Sequence, residues 1–367
     1  MKYIQHNPIP IPSFGASTAV ATTLDSVFDW QYALENDGMM ALYEKGKTAT
    51  WNANDLDWST EVDIEKMMAE RANSGMDSML NRVLNPPREL SSKENQLLNL
   101  NMNSFLLSQF LHGEQGALVA TAKLVLQVPD EESKFYAANQ VADEARHVEV
   151  YHRYLTEKLG MSYEIHPSLN TLLTEIIEDS RWDVTFLGMQ IMVEGLALAA
   201  FGMMRLMMQD EPLIQDLTSR VMADESRHVA FGVLSLEQLY TKEMTSSELR
   251  EREDFIIEST HLMHDRLLMH QVFERLDWDL DVWVPWMAET PFMKGFRQML
   301  FSKIVPNLKR LGLLTPRVRT AFEKLELLRF ENGKDSVEDP EVAPPQELIA
   351  LFTQFMSEQT TNAPASG

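Results

Sequence analysis

The sequence predicts an all-α protein, and three features carry that expectation. From about residue 60 onward, apolar side chains recur at the 3.6-residue spacing of helices. Prolines and capping residues fall between the periodic runs, where helices stop and start. No strand pairs joined by a tight hairpin turn and no glycine-rich phosphate loop can be read.

The elements follow in order. Residues 1–57 form a mixed N-terminal arm with Pro8, Pro10, Pro12 and one short helix. The first long helix runs from Glu61 to about Leu84 and stops before Pro86-Pro87. A second opens at Ser91 or Ser92, with Glu94 placed for a capping box, and runs to about Val128. A third spans about Glu131 to Leu159 and ends at Gly160, and Pro167 starts a shorter one to about Asp179. An almost wholly apolar helix covers about Trp182 to Gln209, and Pro212 sits in the first turn of the next, which reaches about Lys242. Thr245 or Ser246 caps a helix to about Leu276. A tryptophan-rich turn (Trp278, Trp283, Pro285, Trp286) then leads to one or two helices ending near Phe330. The helical domain is therefore 58–330, with its central bundle at about 92–242. The acidic tail, 331–367, carries one amphipathic piece, Pro345 to Met356.

Composition removes several classes of function. Asp and Glu number 55 against 32 Lys and Arg, a formal charge of -23, so a nucleic-acid backbone would be repelled. The absence of cysteine excludes disulfides, zinc–thiolate sites, cysteine-held clusters and thiol nucleophiles. The opening MKYIQHNPIPIPSFGAS has no apolar core of a signal peptide, which makes the cytoplasm the expected location. Val184 to Met204 is apolar and long enough to cross a bilayer, but Glu194 stands in its middle. A central carboxylate suits the buried helix of a large bundle better than a membrane span, so no membrane is expected.

Two segments nearly repeat each other. Asp143-Glu144-Ala145-Arg146-His147-Val148 and Asp224-Glu225-Ser226-Arg227-His228-Val229 differ at one position of six. On a helix, positions i and i+3 share a face, so Glu144 points with His147 and Glu225 with His228. A single Glu-x-x-His is ordinarily a solvated surface. Here each pair is preceded, about 30 residues upstream, by a carboxylate in apolar company: Glu114 among Phe110, Leu111, Ala117 and Leu118, and Glu194 among Met192, Val193, Leu196 and Leu198. A buried, unpaired carboxylate is costly, and metal coordination removes the cost. Two Glu-x-x-His pairs plus one Glu from each of two other helices is the ligand set of a dinuclear carboxylate site in a four-helix bundle. The metal candidates are Glu114, Glu144, His147, Glu194, Glu225 and His228. His261, His264 and His270 form a second cluster that reads as peripheral helix surface.

These residues resemble the ferritin-like superfamily, and within it the non-haem diiron oxidases and oxygenases. That group includes the bacterial multicomponent monooxygenases, acyl-carrier-protein desaturases, arylamine N-oxygenases and the ribonucleotide reductase small subunit. The resemblance implies a ferritin-like, ribonucleotide-reductase-like four-helix bundle with additional flanking helices. It implies two iron ions held by the six candidates, with Glu144 and Glu225 at or near bridging positions and O2 as co-substrate. Manganese or a mixed Fe/Mn pair suits the same donors. It also implies that Asp143 and Asp224 each hold the histidine of the other helix, and that Arg146 and Arg227 neutralise those aspartates. The plainer alternative is two sets of helix-surface ion pairs.

Subfamily signals conflict. Tyr151 lies four residues after His147, the spacing of the radical tyrosine in the reductase subunit, so it either forms a radical or lines a pocket. No tyrosine follows Tyr240, where that subunit carries one in its tail. The monooxygenases and desaturases place a threonine where this chain has Ala197 and Leu198, and the N-oxygenases place a histidine where it has Val221. Phe186, Met189, Phe201, Met203, Met204, Phe231 and Phe110 are mainly core, with a minority lining a substrate cavity. The expected function is oxidation of an apolar small molecule by hydroxylation, desaturation or N-oxygenation. Electrons would come from a ferredoxin or flavin reductase, and the assembly would be a homodimer. The alternatives are a reductase-like radical protein and a non-enzymatic iron-handling protein.

Overall fold

The computed structural model describes residues 17–338, leaving aside 31, 33, 64–65, 67–83 and 209. The helix expected over Glu61–Leu84 falls almost wholly outside the described residues, and Pro345–Met356 falls outside them entirely. Among the described residues all regular structure is helical.

Helix α1 is Asp37–Thr48, in the N-terminal arm. Helix α2, Ser92–Gln127, starts at a complete capping box, in which Ser91 and Glu94 satisfy each other's backbone N–H. Helix α3, Glu131–Arg153, is capped by Asp130 and continues into a π-helical turn, Tyr154–Leu159, that ends on Gly160 at φ 61°. Helix α4 is Pro167–Glu178. Buried Lys123 of α2 donates to the terminal carbonyls Ile176 and Ile177 of α4 at 3.2 and 3.1 Å, which settles acceptors that a helix end leaves open.

The apolar helix is continuous but not uniform. Helix α5, Trp182–Phe186, passes into a π-helical stretch, Leu187–Val193, and then into α6, Glu194–Met207. Of the apolar window in Trp182–Arg205, 94% is buried inside the protein. Helix α7, Pro212–Gln238, begins on Glu211, whose carboxylate accepts from the N–H groups of Leu213 and Ile214 and from the Tyr154 hydroxyl. Helix α8, Ser246–Asp265, has its own capping box from Thr245 and Glu248. A buried bidentate pair, Arg252 with Asp183 at 2.8 and 2.9 Å, ties α8 to the start of α5.

Helices α2, α3, the α5–α6 run and α7 pack around one another, and α1 lies against α3 and α7. Gly232 of α7 shows how close that packing is. A Cβ there would stand 2.6 Å from Cβ of Gln190, so only glycine lets α7 approach the π-helical stretch.

The C-terminal third departs from expectation in two places. The helix from Ser246 does not reach Leu276. It gives way to a 3₁₀ turn, Arg266–Leu268, and then to Met269 at φ 55° before α9, His270–Arg275. No glycine or proline announces that break, and the full burial of Met269 offsets its left-handed backbone. The tryptophan-rich segment is not a turn but helix α10, Leu280–Glu289, with Pro285 inside it. The tilted and edge-on packing of Trp283 against Trp278 at 4.2 Å, Trp286 at 5.3 Å and Phe273 at 5.7 Å outweighs the one hydrogen bond that proline removes. Helices α11, Pro291–Met299, α12, Ile304–Arg310, and α13, Pro316–Lys324, complete the described fold.

Candidate metal centre

Four helices bring the six candidate ligands to one point. Glu114 comes from the middle of α2, Glu144 and His147 from α3, Glu194 from the junction of the π-helical stretch with α6, and Glu225 and His228 from α7. None of the six is more than 5% exposed. They form two overlapping groups, Glu114–Glu144–His147–Glu225 and Glu144–Glu194–His228. Within each group the donor atoms lie no more than 4.8 Å apart.

Glu144 belongs to both groups. Glu225 spans them too, with Oε1 3.2 Å from Nδ1 of His147 and Oε2 3.6 Å from Nδ1 of His228. Glu114 closes one side, 3.1 Å from Nδ1 of His147, and Glu144 reaches Nδ1 of His228 at 3.1 Å. The π-helical stretch ends where Glu194 begins, and such insertions re-aim the side chain that follows.

Several buried donor atoms here have no hydrogen-bond partner: one oxygen each of Glu144 and Glu194, both oxygens of Glu225, and Nδ1 of His228. Orphaned acceptors converging in a dry interior are what a cation would satisfy. The donor set of four carboxylates and two imidazoles suits iron or manganese. The residues fit a dinuclear metal cofactor.

The metal-free electrostatics point the same way. Burial pushes Glu114 and Glu194 well above the usual carboxylate range, and the charge of Glu225 adds to both. Burial works against Glu144 too, but His228 and His147 hold it below that range. Burial likewise disfavours charge on His147 and His228, yet Glu114 and Glu144 respectively hold them well above an ordinary imidazole.

The outward nitrogens of both histidines are anchored crosswise. Nε2 of His147 on α3 meets Asp224 of α7 at 3.1 Å, and Nε2 of His228 on α7 meets Asp143 of α3 at 3.3 Å. That leaves each Nδ1 facing the carboxylates, the tautomer that ligation requires. Arg146 pairs with Asp143 and stands 3.6 Å from Asp224, while Arg227 pairs with Asp224. Both aspartates are 1% exposed, so these are interior pairs rather than surface ones.

Tyr151 is fully buried, and its hydroxyl makes no hydrogen bond, although the equally unpaired Thr218 hydroxyl is close by. Burial, reinforced by Glu114, raises it well above an ordinary phenol. Its ring stacks on Phe201 at 5.8 Å and tilts on Phe110 at 6.0 Å. His261 is exposed, and among the described residues His261, His264 and His270 join no metal-capable group.

Two neighbours escaped the sequence reading. Gln140 donates to Glu144 at 2.9 Å and to Glu194 at 3.0 Å, bridging two ligand helices. Its position four residues before Glu144 was a usable signal. Trp51 donates its indole N–H to Oδ2 of Asp224 at 2.7 Å, the same oxygen that faces His147, and nothing in the sequence links positions 173 apart. A small cleft beside the cluster is lined by Glu114, Glu194 and Glu225 together with Phe110, Gly113, Ala117 and Ala197.

Fold and site together define an all-α helical bundle with the donor set of a dinuclear carboxylate site: a Glu from each of two helices and a Glu-x-x-His from each of two others. Among solved structures the chain is similar to variants of an R2-like ligand-binding oxidase. One with an anaerobically reconstituted Mn/Fe cofactor is 17% identical, with a TM-score of 0.46 over 77% of this chain and 94% of that one. Another, also anaerobically reconstituted with Mn/Fe, is 17% identical, with a TM-score of 0.44 over 80% and 94%. A third, reconstituted aerobically with Mn/Fe, is 15% identical, with a TM-score of 0.42 over 82% and 94%. No protein-family model and no curated protein matches the chain.

Proposed function

We propose that this protein is an O2-activating dinuclear metal oxidoreductase that oxidises an apolar organic substrate. The observation that supports it most is the set of orphaned carboxylate and imidazole donors closing on two adjacent positions beside a cleft. Two iron ions, or a manganese and an iron, would supply the reduction of O2, which no amino-acid side chain performs.

The chain's own residues do the rest. Glu144 and Glu225 would hold both metal ions, Glu114 with His147 would hold one, and Glu194 with His228 would hold the other. Asp224 and Asp143 fix the imidazole planes, and Gln140 keeps Glu144 and Glu194 from swinging apart. Phe110, Val193 and Ala197 wall the cleft and exclude water from the reacting end. Reducing equivalents come from a separate ferredoxin or flavin reductase, since the sequence holds no flavin or nicotinamide motif.

The test is oxygen uptake by full-length protein loaded anaerobically with ferrous iron. The wild type consumes O2 stoichiometrically, and Glu225→Ala, which removes a shared ligand, consumes it at least about tenfold more slowly, a loss of about 1.4 kcal/mol or more. Uptake unchanged in Glu225→Ala overturns the proposal. Tyr151, buried and unpaired beside Glu114 and His147, supports a second reading as a radical-forming subunit. A tyrosyl radical signal after O2 exposure, absent in Tyr151→Phe, selects it.

A further inference from the structure

A row of aromatic rings links the metal ligands to the surface end of α5. Tyr136 of α3 lies four residues before Gln140, the residue that touches Glu144 and Glu194, so the two share a helix face. The Tyr136 ring is 4.5 Å from Phe231, which lies one turn after His228 on α7. Phe231 meets Phe186 edge-on at 4.8 Å, and Phe186 meets Trp182 edge-on at 5.8 Å. Tyr136, Phe231 and Phe186 are fully buried, whereas Trp182 is half-buried. Trp182 lines a surface cavity of about 390 Å³, bordered on the side of the N-terminal arm by Thr23, Asp25 and Val27.

The two ends of the row differ in what they can give up. The Tyr136 hydroxyl has no hydrogen-bond partner to take its proton. Burial, outweighing the nearby His228, also raises its phenol well above the ordinary value. The ring can pass an electron but is a poor place to leave an unpaired one. Trp182 shares its cavity with the Asp25 carboxylate, and no cation among the described residues stands over its indole. The tryptophan beside the other histidine is placed differently. Arg146 and Arg220 stand over the Trp51 ring at 5.3 and 5.7 Å, and their positive charges oppose the loss of an electron from it.

We propose that Trp182 is a protective one-electron relay, which gives an electron through Phe186, Phe231 and Tyr136 to the oxidised metal site when no substrate is bound. This rests on the oxidase reading and adds a second activity to the same centre. The indole is oxidised and the metal site reduced, each by one electron. The indole N–H proton leaves to water or to Asp25 in the cavity. The neutral indolyl radical is then restored by one electron and one proton from a soluble reductant of the thiol or ascorbate class, which the cavity admits. Phe186, Phe231 and Tyr136 act as bridges and are not themselves oxidised. The oxidising equivalent thereby leaves the interior before it reaches the thioethers of Met189 and Met192, buried in the π-helical stretch, which would become sulfoxides.

The experiment exposes full-length protein, loaded with ferrous iron and free of substrate, to O2 in the presence of a nitrone spin trap. Adducts and methionine sulfoxides are then mapped by peptide mass spectrometry. Wild type carries the adduct at Trp182. Phe186→Leu removes one ring of the row with a small change of volume. At unchanged metal content it loses the Trp182 adduct and gains sulfoxide at Met189 and Met192. A wild type without an adduct at Trp182, or an adduct that persists in Phe186→Leu, overturns the proposal. If Phe186→Leu proves unfolded by circular dichroism, Trp182→Phe decides: sulfoxide at Met189 and Met192 rises if Trp182 is the exit, and a wild-type level overturns it. Oxygen uptake by the same samples keeps the two readings apart. Uptake without a Trp182 adduct sinks the relay alone. If no O2 is taken up, hydrogen peroxide is supplied as the oxidant: an adduct that depends on Phe186 then keeps the relay and sinks the oxidase, and no adduct sinks both.

Discussion

Each of the four buried glutamates at the centre is a liability without a cation, because desolvation penalises its charged form. The protein offsets part of this with the two histidines and a further part with Gln140, which donates to Glu144 and Glu194. Replacing Gln140 by Leu leaves Glu144 and Glu194 each short of a donor at 2.9 and 3.0 Å. The metal-free variant should then unfold about 1–3 kcal/mol more easily, read from denaturant titration, and equal stability would contradict the bridging role. Trp51→Phe removes the indole donor from Asp224 and should cost metal-free protein about 1–3 kcal/mol, measured in the same way. The six clustered residues were legible in the sequence because helical spacing fixes which side chains share a face. Gln140, four residues before Glu144, is legible by the same rule. Trp51 was not, since its partner comes from another element and no local pattern records it.

At the scale of elements, helix starts were the most readable feature. Ser91, Asp130, Thr245 and Pro212 mark them chemically, through caps and the fixed φ of proline. Breaks inside helices were not readable. The π-helical stretch before Glu194 and the left-handed Met269 are set by tertiary packing rather than by local propensity. The contact of α7 with that π-helical stretch gives a sharp prediction at Gly232. Alanine would place its Cβ 2.6 Å from the Gln190 Cβ, so the helices must part. Gly232→Ala should lose about 1–3 kcal/mol of stability, with weaker metal retention, because His228 lies one turn away. Unchanged stability would contradict the close approach.

Over the whole molecule, the acidity first visible as a charge of -23 divides into solvated surface and a buried cluster that titrates with metal. In the metal-free protein Glu114 and Glu194 are raised above 4.5, and His147 and His228 above 6.5. A raised group stabilises the fold below its unfolded value and loses that contribution as pH climbs through the folded one. Metal-free protein should therefore weaken as pH rises above about 5, given unfolded carboxylate values near 4.3. Glu144 and Asp224, lowered, act only below their ordinary values of 4.5 and 3.8 and leave this window untouched. Metal requires the deprotonated ligands, so its binding strengthens over the same range. The gap in melting temperature between metal-loaded and metal-free protein should widen from pH 5 to pH 8 (a window set by these directions), and a constant gap would contradict the assignment.

The dinuclear centre itself is tested most directly by counting metal. Full-length protein loaded with ferrous iron and desalted should hold two ions per chain, one for each group of donors. The double variant Glu194→Ala/Glu225→Ala should hold none or one. A wild type that binds fewer than two, or a double variant that keeps both, would contradict the assignment of these six residues as a dinuclear site.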